Sequence, residues 1–205
     1  MTKIKICGLS RECDIEYANA CRPDYIGFVF AKSRRQTAPE TARRLRKRLN
    51  PDIIPVGVFV NAPAAEVLRL LKDGVIAMAQ LHGQESPEEI LEIQETSGCP
   101  VIKAFSVRTK ADLIQAAASP ADYLLFDYGA GGTGQRFDWS LFQETEGLLK
   151  KPFFLAGGIR TDNVEEAVRT VHPFAVDVSS GAETEGVKDP AKMFELVRRI
   201  RNGER

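Results

Sequence analysis

Phe153-Phe-Leu-Ala-Gly-Gly-Ile159 and Phe174-Ala-Val-Asp-Val-Ser-Ser-Gly181 are two short apolar runs that close in glycine and small polar residues. Between them Val164, Ala167, Val168 and Val171 recur at helical spacing after Asp162-Asn163, a polar pair suited to start a helix. The stretch therefore reads as strand, helix, strand, with a glycine-rich turn leaving each strand.

The same alternation extends outward in both directions. Further strands are predicted at 3–9, 25–30, 54–60, 78–82, 101–107 and 122–127, which makes eight with the two above. The segments between them carry helix grammar. Pro39 to Leu49 places Ala42, Leu45 and Leu49 on one face and its basic residues on the other. Ser86 before Pro87 and Asp189 before Pro190 are N-cap and first-turn signals. The sixth helix is expected from Asp138-Trp139. Repeated βα units of about 25 residues, with no linker or low-complexity insert, predict an α/β fold: one (β/α)8 TIM barrel over residues 1–205, near the lower size limit for that architecture. An open doubly wound sheet is the alternative. It would favour Gly-x-Gly-x-x-Gly after the first strand, where this chain has Cys7-Gly8-Leu9.

Composition narrows the function classes. Apolar residues make up 43% of the chain, enough for a substantial core, and 28 basic residues balance 28 acidic ones, so no bulk field favours nucleic acid or an anionic membrane. No apolar run approaches the ~20 residues needed to span a bilayer, and Met1 leads directly into the first strand without a leader pattern. A cytoplasmic location is expected. Cys7, Cys13, Cys21 and Cys99 form no C-x-x-C pair and no zinc-like cluster with histidine, so free thiols and no metal are expected.

In a closed parallel barrel, chemistry sits where the strands end. Cys7 ends the first strand, and period-2 alternation puts Lys5 on the same inward face, where its charge favours the thiolate. Read alone, Cys7 is a small buried hydrophobe. Asp127 ends an apolar strand, where an unpaired carboxylate is costly without a purpose; capping the next loop is the plainer role. The segment Tyr128 to Gly134 then supplies the glycines of a loop that could act as a lid. Gly157, Gly158, Ser180 and Gly181 leave two adjacent strands, the place where barrels commonly bind phosphate through backbone N–H groups. Gln80, His82 and Asp177 are further rim candidates for substrate, and His172 reads as structural. In the loop leaving the second strand, Arg34 or Arg35 could clamp a carboxylate with two parallel hydrogen bonds.

Taken together, Lys5-Ile-Cys-Gly8, Gly27-Phe-Val-Phe30, Val56-Gly-Val-Phe-Val-Asn61, Gln80-Leu-His-Gly83, Gly132-Thr-Gly134 with Phe137-Asp-Trp139, Ala156-Gly-Gly-Ile159 and Phe174 to Gly181 closely resemble the phosphoribosylanthranilate isomerases of tryptophan biosynthesis, in order and over essentially the whole chain. The resemblance implies an Amadori rearrangement of N-(5-phosphoribosyl)anthranilate to 1-(2-carboxyphenylamino)-1-deoxyribulose 5-phosphate, without cofactor or metal, by a monomer or homodimer. The family's general base matches Cys7 and its general acid Asp127. Its carboxylate-binding arginine aligns best with Arg35, one residue from Arg34, and the segment from Asp127 to Gly132 is shorter than in some relatives. The histidine-pathway ribonucleotide isomerase would be expected to place a carboxylate where Cys7 stands. Indole-glycerol-phosphate synthase would carry a catalytic Lys and Glu at other strand ends, and a silent phosphosugar-binding module would need neither Cys7 nor Asp127.

Overall fold

A computed structural model of the chain describes residues 1–127, 139–143, 147 and 149–203. Eight parallel strands close on themselves in sequence order: β1 (Lys3–Cys7), β2 (Tyr25–Val29), β3 (Ile54–Phe59), β4 (Met78–Leu81), β5 (Val101–Ser106), β6 (Tyr123–Asp127), β7 (Phe153–Leu155) and β8 (Ala175–Val178). The barrel shuts where β1 pairs with β8, Lys5 lying opposite Asp177 in register. Helices α1 (Glu12–Cys21), α2 (Pro39–Arg46), α3 (Ala64–Lys72), α4 (Pro87–Ser97), α5 (Lys110–Ala117), α6 (Ser140–Gln143), α7 (Val164–Val171) and α8 (Pro190–Asn202) alternate with the strands. The predicted barrel is therefore the fold. The predicted lid at 128–134 and the expected helix start at Asp138 lie outside the described residues.

Local chemistry accounts for the boundaries. The Ser86 hydroxyl accepts from Glu89 N while the Glu89 carboxylate accepts from Ser86 N, a reciprocal cap that starts α4. Thr109 and Asp112 repeat this at α5, and the Asp189 carboxylate caps α8 ahead of Pro190. Helix α7 buries the expected stripe of Val164, Ala167, Val168 and Val171. His172 caps its end in the left-handed conformation at φ 49°, in keeping with the structural reading of that residue.

Two strands stop two or more residues sooner than their apolar runs suggest, the others within one. β1 ends at Cys7 rather than Leu9 and β7 at Leu155 rather than Ile159, because Gly8 and Gly157 both take φ of 86°, which turns the chain out of the extended conformation. Helix α2 likewise ends at Arg46, and Leu49 is buried from the turn that follows.

Side chains alternate inward and outward along each strand, so the core has two layers. Outward residues such as Ile6, Phe28, Phe59 and Phe126 pack beneath the helices. Inward residues Val56, Met78, Ile102, Leu125 and Phe154 fill the barrel. Its lower end is closed by Tyr25, Tyr123, Phe154 and Phe174, whose rings meet edge-on or tilted at 5.2–5.8 Å. The Lys3 ammonium sits 4.9 Å from the centre of the Phe174 ring. The upper end is polar. Among the described residues, no helix is long and apolar enough to cross a membrane.

Candidate active site

Inward alternation from the aromatic floor brings Lys5, Cys7, Gln80, Asp127 and Asp177 to the upper end of the barrel. Cys7 is buried, and space for its sulfur comes from the neighbouring strand: a Cβ on Gly27, its register partner, would fall 2.6 Å from Cys7 Sγ. Lys5 is wholly buried and donates to Asp177 Oδ2 at 2.9 Å. Burial alone would lower the Lys5 ammonium, but the charges of Asp177 and the Cys7 sulfur outweigh it and the group ends above its usual value.

The sequence reading expected Lys5 to favour the Cys7 thiolate, and on balance it does not prevail. Burial pushes the Cys7 thiol up, Lys5 and Lys188 pull it back, Asp177 pushes it up again, and the thiol ends above its usual 9.0. Lys5 does favour the thiolate, as its inward position predicts, but burial of the sulfur is the larger effect.

On the other side of the mouth, Gln80 lies beneath His82, buried to 1% exposure, rather than at the rim where the sequence placed it. Its amide nitrogen is 3.0 Å from His82 Nδ1. An amide nitrogen only donates, so neutral His82 carries its proton on Nε2, which faces Asp127 Oδ2 at 3.7 Å. Burial lowers His82 and raises Asp127; the attraction between them opposes both shifts, and Asp177 raises Asp127 further. The Asp127 side chain keeps 39% of its surface open, so it titrates within reach of a ligand. Gln80 Oε1 and Asp177 Oδ1 are buried acceptors with no hydrogen-bond partner among the described residues. Such groups are expensive to leave unpaired, and both lie in this polar layer. A cleft of about 720 Å³ leads outward from His82 and Asp127 over Ser106 to the space between α4 and α5; it reaches neither Cys7 nor Arg35.

The glycine turns after β7 and β8 meet. Gly157 and Gly158 have φ of 86° and 67°, and Ser180 opens a single 3-10 turn through Ala182. A Cβ on Gly181 would fall 2.0 Å from the Ile159 carbonyl oxygen, so only glycine lets these loops touch. The two turns that carry the residues assigned to phosphate thus adjoin, at Gly181 and Ile159.

Of the two arginines, Arg35 is the inner one. Its aliphatic stem crosses Gly8, where a Cβ would fall 2.4 Å from Arg35 Cδ, and its side chain is 23% exposed against 57% for Arg34. Both guanidinium groups end on Glu183, which no pattern in the sequence reading singled out. Glu183 lies in a small hairpin, β9 (Glu183–Thr184) and β10 (Val187–Lys188), joined by Glu185 and Gly186 at φ of 51° and 82°. The signal was present in Glu185-Gly186, a two-residue turn pair, but two-residue strands are too short to show alternation. A second unforeseen feature is a buried strut beside β4 and β5. Lys103 Nζ donates to Glu85 Oε2 at 3.0 Å and to Gly83 O at 2.7 Å, while Glu85 accepts from Asn61 N at 2.8 Å. Among the described residues, no three His, Cys, Asp or Glu side chains converge so as to hold a metal ion.

A family model described as N-(5'phosphoribosyl)anthranilate (PRA) isomerase matches residues 4–199. The chain belongs to the PRA isomerase family. An N-(5'-phosphoribosyl)anthranilate isomerase of Endomicrobium trichonymphae is 45% identical, covering 98% of this chain and all of that one. A second, from Thermoanaerobacter sp. strain X514, is 43% identical with 98% of each chain covered. Among solved structures, PRA isomerase of Thermotoga maritima superposes with a TM-score of 0.90 at 35% identity, over 98% of this chain and 99% of that one. Another PRA isomerase, crystallised with reduced 1-(o-carboxyphenylamino)-1-deoxyribulose 5-phosphate, gives a TM-score of 0.88 at 34% identity and the same coverage.

Proposed function

We propose that this chain isomerises N-(5'-phosphoribosyl)anthranilate to 1-(2-carboxyphenylamino)-1-deoxyribulose 5-phosphate in tryptophan biosynthesis, with Asp127 as general acid and Cys7 as general base. The observation that carries the assignment of roles is the pairing, at one barrel end, of a carboxyl raised by burial with a thiol flanked by two lysines. Family membership supports the reaction itself.

Opening the furanose needs a proton on the ring oxygen. Asp127, held toward its neutral form, delivers it as the anilino nitrogen's lone pair forms the C1–N double bond. The resulting iminium makes the C2 proton acidic. Cys7 as thiolate removes it, and the electron pair of that C–H bond moves to form the C1–C2 enamine as the C1–N π bond returns to nitrogen. Tautomerisation of this enol gives the aminoketone. Only the form with Asp127 protonated and Cys7 ionised reacts, so burial of the acid and the cations beside the base both enlarge the reactive fraction. The turns at Gly157, Gly158, Ser180 and Gly181 receive the phosphate, and Arg35 receives the anthranilate carboxylate. Fixing both ends of the substrate lowers the entropic part of the barrier. Gln80 supports this reading indirectly, by orienting His82 toward Asp127, and Asp177, whose buried Oδ1 is unpaired, is the acceptor assigned to a sugar hydroxyl. The partner is a small phosphorylated molecule in the cytoplasm, and the chain is read as a monomer or homodimer; monomers of a dimeric relative from Thermotoga maritima have themselves been crystallised.

The test is turnover of fluorescent phosphoribosylanthranilate by the purified chain, run beside the histidine-pathway ribonucleotide. Rapid conversion of the first supports the proposal. Conversion of the second alone would replace it, and binding without turnover of either would leave only a phosphosugar-binding module.

A further inference from the structure

Glu183 is 4% exposed at its side chain and faces three cations. Arg35 donates to it from Nε at 2.6 Å and Nη2 at 2.9 Å, Arg34 from Nη2 at 2.7 Å, and Lys188 from Nζ at 2.5 Å. Lys188 is its register partner across the hairpin. The hairpin is itself tied down, since Arg11 donates to Lys188 O and Lys192 to Glu183 O.

A guanidinium has five N–H groups on distinct edges of one plane. Glu183 occupies the Nε–Nη2 edge of Arg35, which leaves the Nη1–Nη2 edge for another carboxylate. The charges favour an anion there, because three cations against one carboxylate leave two positive charges uncompensated. The pairing also holds a side chain whose aliphatic stem is packed over Gly8, the residue after Cys7. A free arginine would lose several rotamers on gripping a ligand, and one already held has little left to lose.

We propose that Glu183 is a positioning residue for the reaction: it orients Arg35 so that its outer edge receives the substrate carboxylate. This rests on the reading of Arg35 as the carboxylate clamp. Its action on the substrate carboxylate passes through Arg35 and depends on the ligand having a carboxylate at all, whereas any action through Lys188 on Cys7 would fall equally on ligands with and without one.

The experiment compares kcat/KM for N-(5-phosphoribosyl)anthranilate with that for N-(5-phosphoribosyl)aniline, which lacks the carboxylate, in Glu183→Gln, Arg35→Ala and the double variant. Glu183→Gln keeps the shape and an oxygen for Lys188 while removing the charge. It is expected to lose about ten-fold on the anthranilate substrate, as for weakening a charge-assisted hydrogen bond, and to stay within about two-fold on the aniline. The double variant should lose no more than Arg35→Ala alone. Equal loss on both substrates, or no loss on either, overturns the proposal. If Arg35→Ala discriminates between the substrates and Glu183→Gln does not, the clamp stands and Glu183 falls. If Arg35→Ala itself does not discriminate, the clamp reading fails and takes the proposal with it. Should Glu183→Gln not fold, Glu183→Asp, which keeps the charge but draws it back by one methylene, is expected to show the same carboxylate-dependent loss, and an equal effect on both substrates overturns the proposal there too.

Discussion

At Cys7 burial and charge oppose each other. Burial pushes the thiol up, and Lys5 and Lys188, both buried nearby, pull it down. Both are ion-paired, Lys5 with Asp177 across the β1–β8 seam and Lys188 with Glu183 across the hairpin, and Lys188 lies outside the barrel strands, so its replacement leaves the seam intact. Lys188→Met should therefore move the Cys7 titration to still higher pH. The ultraviolet absorbance of the thiolate, taken as the difference from Cys7→Ala, checks this, and an unchanged or lowered midpoint would exclude Lys188 as a partner. Arg35→Ala should raise KM for phosphoribosylanthranilate more than it lowers kcat, because the clamp acts on the bound substrate as well as on the transition state. A steady-state comparison with Arg34→Ala decides between neighbours, and a larger effect for Arg34, at 57% exposure, would reverse the assignment.

At the scale of elements, the loops after β7 and β8 depend on one missing methyl group. Gly181→Ala would set a Cβ against the Ile159 carbonyl, a backbone atom that cannot swing aside as a side chain can. The expected outcome is at least a ten-fold rise in KM, roughly the loss of one or two backbone hydrogen bonds to phosphate, and weaker inhibition by inorganic phosphate. Unaltered phosphate inhibition would place the anion elsewhere. These turns were legible in the sequence because Gly157-Gly158 and Ser180-Gly181 stand at the ends of strongly apolar runs, where composition and position agree. The strands were legible for the same reason, apart from ends set by the φ of Gly8 and Gly157. Illegible were contacts between residues far apart in the chain. Glu183 is 148 positions from Arg35, and Lys103 and Glu85 meet across a strand and a helix, so no local period records either. The charge of Asp177, which pushes the Cys7 thiol up from across the β1–β8 seam, is of the same kind.

For the whole molecule, two buried carboxylates set the acid limit of stability. Burial raises Glu85 and Glu183, but hydrogen bonds and cations outweigh it: Asn61 N–H and Lys103 for Glu85, Arg35 and Lys188 for Glu183. Both end below their usual 4.5, so their stabilisation is complete above that pH and is lost as pH falls through the lowered values. His82, held below its usual 6.5, adds to the loss on acidification from that pH downward, whereas the raised Asp127 opposes it. Tm should fall steeply below about pH 4.5 and less steeply in Glu85→Gln, read by circular dichroism. A parallel fall in both would show that Glu85 carries no such linkage. Phe154, wholly buried in the aromatic floor, should cost about 3–5 kcal/mol when replaced by alanine, lowering Tm by roughly 10 °C while kcat at low temperature changes little. The floor is distant from the chemistry, so a large loss of kcat in a folded Phe154→Ala protein would contradict the separation of a stabilising lower end from a catalytic upper end. The central claim is acid–base catalysis by Asp127 and Cys7 on a substrate anchored elsewhere, and the most direct test is kcat of Asp127→Asn beside its affinity for reduced 1-(2-carboxyphenylamino)-1-deoxyribulose 5-phosphate. Asparagine keeps the shape and removes the transferable proton, so kcat should fall by ~10² to 10⁴-fold with affinity nearly unchanged; near-normal turnover in that variant would contradict the account and leave ring opening without its acid.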